Sequence, residues 1–242
     1  MKRTIVTLPT YNEAENIGPL IKDLRALGLE VLVADDNSPD GTWRIVEECA
    51  ARDPGVHLLR RMERKGRGYA GAEAFVRALE LGAEYIVEMD ADYSHQPRFA
   101  TALVNSLENG ADLAIGSRLV PGGGDVGRSW YRRWLTGFSA LYARAVLQLP
   151  IRDANSGFRA YTRQALERLA PATLISAGPS IVHEIYGRAA RLNLRQIEIP
   201  IDFLERRYGK SQLTIGRLLN GFLMVWRVRR LLAEWPAKDA RP

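Results

Sequence analysis

Ile86-Val87-Glu88-Met89-Asp90-Ala91-Asp92 is an apolar run that reads as a buried strand and ends in two carboxylates one residue apart. Burying either charge is costly, so the pair belongs where a strand opens into a crevice. Two acidic side chains in that position suit a hard divalent cation held against phosphate. A plainer reading has Asp90 and Asp92 capping the helix expected from Pro97. Their surroundings decide between the two.

Working outward, Thr4 to Leu8, Val31 to Ala34, Val56 to Leu59, Tyr85 to Met89 and Leu113 to Ile115 read as strands. Between them Glu13 to Leu27, Thr42 to Arg52, Tyr69 to Leu81 and Pro97 to Leu107 have helical apolar spacing. This alternation predicts an α/β fold with a mostly parallel, doubly wound sheet flanked by helices. In such sheets ligands sit beyond the carboxyl ends of the strands. Three polar clusters fall there: Pro9-Thr10-Tyr11-Asn12-Glu13, Asp35 to Thr42, and Asp90-Ala91-Asp92. Ser38, Pro39, Gly41 and Thr42 are mainly turn and helix-start chemistry. Adjacent Asp35 and Asp36 repel unless a donor or ligand satisfies them, and Asp36 is a candidate acceptor for a nucleobase edge.

Lys65 to Ala72 is a basic, glycine-rich stretch entering a helix, equally readable as a phosphate cradle or a surface loop. After the interruption Gly122-Gly123-Gly124, helical patterns at Ser129 to Leu149 and Thr214 to Trp235 mix aromatics with arginines. These read as C-terminal amphipathic, interfacial helices, with buried core helices as the default alternative.

The 242 residues, 46% of them hydrophobic, suffice for one large domain with an appendage. The boundary expected from the pattern separates a main domain, 1–213, from a C-terminal helix and tail, 214–242. The lone Cys49 excludes an intramolecular disulfide and fits a reducing compartment. No cleaved leader is expected ahead of the first strand, and no apolar run reaches the roughly 18 residues of a membrane span. The net charge of +6 favours an anionic partner. No nucleic-acid motif is present, so nucleic acid is not the expected partner.

The motifs Pro9-Thr10-Tyr11-Asn12-Glu13, Asp35 to Thr42 and Met89-Asp90-Ala91-Asp92-Tyr93-Ser94-His95, in this order, resemble those of the dolichol-phosphate (polyprenol-phosphate) mannosyltransferases. These are inverting glycosyltransferases with a GT-A fold, and the resemblance runs from Thr4 to about Leu213. It implies transfer of mannose from GDP-mannose to a polyprenyl phosphate, with a polyprenyl-phosphate glucosyltransferase using UDP-glucose as the alternative. It further implies that Pro9, Tyr11, Glu13, Ala34, Asp36 and Ala91 line the nucleotide-sugar pocket. Asp90 and Asp92 would hold Mg²⁺ or Mn²⁺, and Arg118, Arg132, Thr136, Arg206 and residue 212 would bind the acceptor phosphate. Asp153 to Arg159 resembles the family's Asp-x-x-Ser-Gly-Phe-Arg loop.

Gln212 stands where the family has a phosphate-binding lysine. Glutamine donates hydrogen bonds without a charge. His95 is expected beside the metal rather than on it, because hard cations prefer oxygen. The chain carries no hydrophobic helices after Leu213 of the kind that membrane-spanning members have. It reads as cytoplasmic and peripheral on the cytoplasmic face of the membrane, using its own amphipathic helices or an anchoring partner protein.

Overall fold

The computed structural model describes residues 2–205 and 215–235, the side chains of 215–220 excepted. Seven strands form the main sheet in the order β3-β2-β1-β4-β7-β5-β8. They are β1 (Thr4–Thr10), β2 (Glu30–Asp35), β3 (Val56–Arg60), β4 (Tyr85–Glu88), β5 (Leu113–Ser117), β7 (Arg159–Thr162) and β8 (Gln196–Pro200). All pairings are parallel except those of β7, which runs antiparallel between β4 and β5. Two three-residue strands, β6 (Gly124–Val126) and β9 (Asp202–Leu204), pair parallel as a separate ribbon.

The predicted strands and helices of the first half all form, with ends moved by one or two residues. The period-two alternation of the strands explains the layering. Ile5, Leu32, Ala34 and Ile86 point into one core cluster, while their neighbours Val6, Val31, Val33 and Val87 point into the other. Helices α1 (Ala14–Ala26), α2 (Thr42–Arg52) and α4 (Arg98–Glu108) cover the second face. In α1 the buried set Ile17, Leu20, Ile21 and Leu24 has the three-and-four spacing of one helical face. Cys49, in α2, packs half-buried against this cluster.

The first face is covered by α3 (Arg67–Glu80), α5 (Trp130–Leu147), α6 (Arg163–Arg168), α7 (Ile181–Arg191) and α8 (Ile215–Glu234). On the far side of the boundary expected at 213/214, α8 buries Val225, Val228 and Leu232 in this same cluster. Its outer face, like that of α5, stays apolar and exposed: Trp130 is 80% exposed, Trp134 65%, Leu141 61% and Leu223 67%. The glycines at 122–124 form a pinned turn. Gly123 N–H donates to Val120 O, and Gly124 N–H donates to Ile201 O, each at 3.0 Å.

β1 lies between β2 and β4, so chain order reverses about β1 and a crevice opens at that switch point. Pro9, Asp36 and Asp90 all leave the sheet along this edge, as the pattern required.

Candidate functional site

A cavity of about 1130 Å³ opens at this edge. Pro9, Glu13, Asp90, Ala91 and Asp92 line it, together with Arg67, Asn155, Gly157, the 175–180 loop and His183. The far wall belongs to α8, through Gly221, Met224, Arg227 and Leu231. Five of the residues expected at the site from sequence therefore share one cavity, and a helix that looked like an appendage closes it.

The acidic couplet is braced from several sides. Asp92 is buried and accepts the Ser94 N–H at 3.0 Å. Asp90 Oδ1 accepts from Arg67 Nη2 at 2.9 Å, and the other end of that guanidinium reaches Glu88 Oε1 at 3.0 Å. Glu88 is fully buried and also holds Arg159, which stands opposite it in the β4/β7 register. Two carboxylates and two guanidiniums thus alternate from the sheet interior out to the cavity. Burial alone disfavours charge on Arg67, but Asp90 and Glu88 outweigh it and leave its pKa above the ordinary arginine value.

His95 supports the couplet from behind. Its Nδ1 accepts the Asp90 backbone N–H at 3.0 Å, which fixes the proton on the other nitrogen. The ring stacks on Phe158, and burial lowers its pKa despite the nearby aspartates. A neutral imidazole thus stands beneath Asp90.

The 153–159 loop bolts the floor together. Asp153 receives Arg118 Nε and Nη2, each at 2.8 Å, and Ser156 Oγ donates to Gly116 O at 2.6 Å. Tyr186 Oη donates to Ser156 O at 2.8 Å. Gly157 leaves the space in which Arg67 lies: a Cβ there would come within 3.0 Å of Nη2. Phe158 supplies the stacking surface for His95, and Arg159 the cation for Glu88.

Other expected residues lie elsewhere. Tyr11 is 55% exposed and lines a separate polar groove of about 570 Å³ with Asn37, Trp43 and Lys65. Ala34 is wholly inside the core. Asp36 is occupied by protein donors: it pairs with Arg61, and its Oδ2 accepts the Gly66 N–H at 2.6 Å. Asp35 accepts from Thr10 Oγ1 at 2.9 Å and from Ser38 N at 2.8 Å. The repulsion noted between these neighbours is resolved inside the chain.

The glycine-rich stretch is also committed internally. Gly68 N–H donates to Ala177 O at 2.9 Å, and a Cβ on Gly68 would overlap the Ser176 carbonyl. Its glycines serve close approach of α3 to the 175–178 loop. Glu184 holds that loop from inside, accepting the Ser176 N–H at 3.0 Å while paired with Arg188 at 2.8 Å.

Arg118 and Arg128 both face the Phe203 ring, at 4.9 and 5.5 Å from its centre. Arg128 Nη1 also donates to Thr136 Oγ1 at 3.3 Å, and Arg132 pairs with Glu205 at 3.3 Å. Arg128 was missed in sequence. Its place in Gly127-Arg128-Ser129, just ahead of the arginine-bearing α5, was the available signal. Arg206 and Gln212 lie outside the described residues.

His183 was likewise passed over. It lines the cavity, hydrogen-bonds Asn155 Oδ1 through Nε2 at 3.0 Å and leaves Nδ1 buried without a partner. Burial, helped by Arg159, pushes its pKa down to about 4.

No group of three or more histidine, cysteine or carboxylate ligands occurs among the described residues. Two carboxylates at a cavity mouth, one of them already holding a cation, nevertheless fit a hard divalent ion that takes its remaining ligands from phosphate and water.

A model of glycosyl transferase family 2 matches residues 5–170. The undecaprenyl-phosphate mannosyltransferase of Micrococcus luteus is 39% identical over 241 residues, covering 99% of this chain and 98% of that protein. The polyprenol monophosphomannose synthase of Mycolicibacterium smegmatis is 36% identical over 237 residues, covering 97% and 87%. Among solved structures, glucosyl-3-phosphoglycerate synthase from Mycobacterium tuberculosis, in complex with Mn²⁺ and uridine diphosphate, has a TM-score of 0.68. It is 20% identical and covers 97% of this chain and 81% of that one, which establishes a shared GT-A-like fold. With the couplet, cavity and sheet order in place, these likenesses fix the family: the chain belongs to glycosyl transferase family 2 and, within it, to the polyprenol-phosphate mannosyltransferases.

Proposed function

We propose that the enzyme transfers mannose from GDP-mannose to a polyprenyl phosphate, with Mg²⁺ or Mn²⁺ held by Asp90 and Asp92. The observation that carries this reading is the couplet's position in one cavity whose lining also includes Ile175, Val182, Met224 and Leu231. A charged nucleotide sugar and an apolar lipid need such a site, with both polar and hydrocarbon lining. The names of the relatives support mannose as the sugar and a polyprenyl phosphate as the acceptor.

An acceptor phosphate oxygen attacks the anomeric carbon, and the bond to the nucleoside diphosphate breaks with its electron pair leaving on the diphosphate. The phosphate is already ionised near neutral pH, so no side chain has to remove a proton. One displacement inverts the anomeric centre. When bound, the divalent ion neutralises charge gathering on the departing diphosphate.

The acceptor needs cations of its own. Arg118 is committed to a two-pronged pair with Asp153, so it offers less net charge than its position suggested. Arg128 and Arg132 form longer pairs, at 3.4 and 3.3 Å, and exchange them more cheaply for an incoming phosphate. Thr136 adds a hydroxyl beside them.

No described helix is long and apolar enough to cross a membrane. The exposed stripe Trp130, Trp134, Phe138 and Leu141, with Leu223 and Trp226 of α8, suits the interfacial zone of a bilayer. Arginines beside it and a net charge of +6 favour the anionic cytoplasmic leaflet, through these helices or an anchoring partner protein. The domain division at 213/214 stays a proposal about the chain beyond the GT-A sheet.

The test is a transfer assay with a short polyprenyl phosphate, GDP-mannose or UDP-glucose as donor, and chelator, Mg²⁺ or Mn²⁺. Mannosyl lipid formed only with metal, and lost in folded Asp92→Asn, is expected. Transfer chiefly from UDP-glucose overturns the donor assignment, and full turnover in chelator overturns the metal.

A further inference from the structure

Arg67 sits on Asp90, one of the two carboxylates proposed to hold the metal. Its Nη2 lies 2.9 Å from Asp90 Oδ1, and the same guanidinium is tethered 3.0 Å from Glu88 Oε1. Glu88 is itself fixed from the far side by buried Arg159. The missing side chain at Gly157 gives the guanidinium its room. A planar, permanently charged group with one end anchored and the other on a carboxylate at the cavity is built to be displaced at that end only.

We infer that Arg67 is a resident counter-cation of the metal seat, held on Asp90 in the free enzyme and transferred to the nucleotide diphosphate when a divalent ion takes that carboxylate. This rests on the assignment of Asp90 and Asp92 as metal ligands. A guanidinium and a divalent ion on one carboxylate repel each other, so the bare metal binds weakly. An incoming diphosphate removes the conflict, because its oxygens accept the N–H groups that Asp90 gives up. Glu88 keeps Arg67 within reach throughout. Metal and nucleotide sugar therefore load together, and the enzyme does not sequester free metal.

The experiment is Mn²⁺ binding to the full-length protein, followed by the EPR signal of free ion, without nucleotide and with saturating GDP. Without nucleotide, Arg67→Gln should bind Mn²⁺ at least about tenfold more tightly than wild type, a factor worth about 1.4 kcal/mol. Arg67→Lys, which keeps the charge, should stay near wild type. With GDP the advantage of Arg67→Gln should vanish or reverse, since the wild-type guanidinium then binds diphosphate. Equal or weaker Mn²⁺ binding by folded Arg67→Gln without nucleotide overturns the inference.

Should Arg67→Gln fail to fold, the wild-type guanidinium itself decides. The guanidinium NMR resonances of Arg67, assigned by their loss in Arg67→Lys, should move on saturation with Mg²⁺ and GDP, and unmoved resonances overturn the idea. Asp92→Asn separates the two levels. If it binds Mn²⁺ like wild type, the metal seat itself is misassigned. If it loses Mn²⁺ while Arg67→Gln matches wild type, only the role of Arg67 falls.

Discussion

His183 makes a prediction that the structure lets one size. In the folded chain its pKa is pushed down to about 4, against an ordinary value of 6.5, first by burial and then by the charge of Arg159. Between those pH values the unfolded chain takes up a proton that the folded chain refuses. Stability is therefore complete above about pH 6.5 and is lost as pH falls toward 4. The gap corresponds to about 3 kcal/mol, since each pKa unit carries about 1.4 kcal/mol. His183→Gln keeps a donor for Asn155 and cannot titrate. Urea unfolding of both proteins from pH 7.5 to 4 is the assay. Wild type should lose about 3 kcal/mol more than the variant over that range, whatever constant offset the substitution brings. His95, also held neutral by burial, pulls in the same direction but is present in both proteins and cancels. Parallel stability curves would refute the claim that a neutral, buried imidazole lies beside this cavity.

Gly68→Ala should cost about 1–3 kcal/mol, because its Cβ overlaps the Ser176 carbonyl; a lowered melting temperature with weaker nucleotide binding checks this. Arg159→Met should destabilise by about 3 kcal/mol or more, read from the urea midpoint, since Glu88 keeps its burial and loses the partner across β4/β7. The double variant Trp130→Ser with Trp134→Ser should leave the melting temperature within a degree or two, because both rings face solvent, yet weaken sedimentation with anionic vesicles by about tenfold or more. Undiminished vesicle binding would remove α5 from the membrane contact.

Much of the fold was legible because short apolar runs and three-to-four helical spacing alternate along the first half of the chain without overlap. Ile86 and Val87 announce β4 as part of an apolar run, and Ile17 through Leu24 announce α1 from helical spacing. β7 escaped because Arg159-Ala160-Tyr161-Thr162 is short and opens on an arginine whose charge is balanced by Glu88, 71 residues away in sequence. β6 and β9 are three residues each and have no period to read. At the site, the couplet and its edge were readable, since two carboxylates ending an apolar run are costly anywhere else. What the neighbours do was not. The donors that satisfy Asp35 and Asp36, from Thr10, Ser38, Arg61 and Gly66, could not be read, because they come together only in three dimensions. Arg67 looked like part of a phosphate loop and sits on Asp90 for the same reason.

The single antiparallel strand has a metric consequence. β7 lies between β4, which delivers Asp90, and β5, which delivers Arg118, and all three end or begin at the same edge. Neighbouring strands run about 4.8 Å apart, so these two exits stand about 10 Å from each other. The sheet is in effect a ruler with one strand as its unit, setting the gap between the two exits.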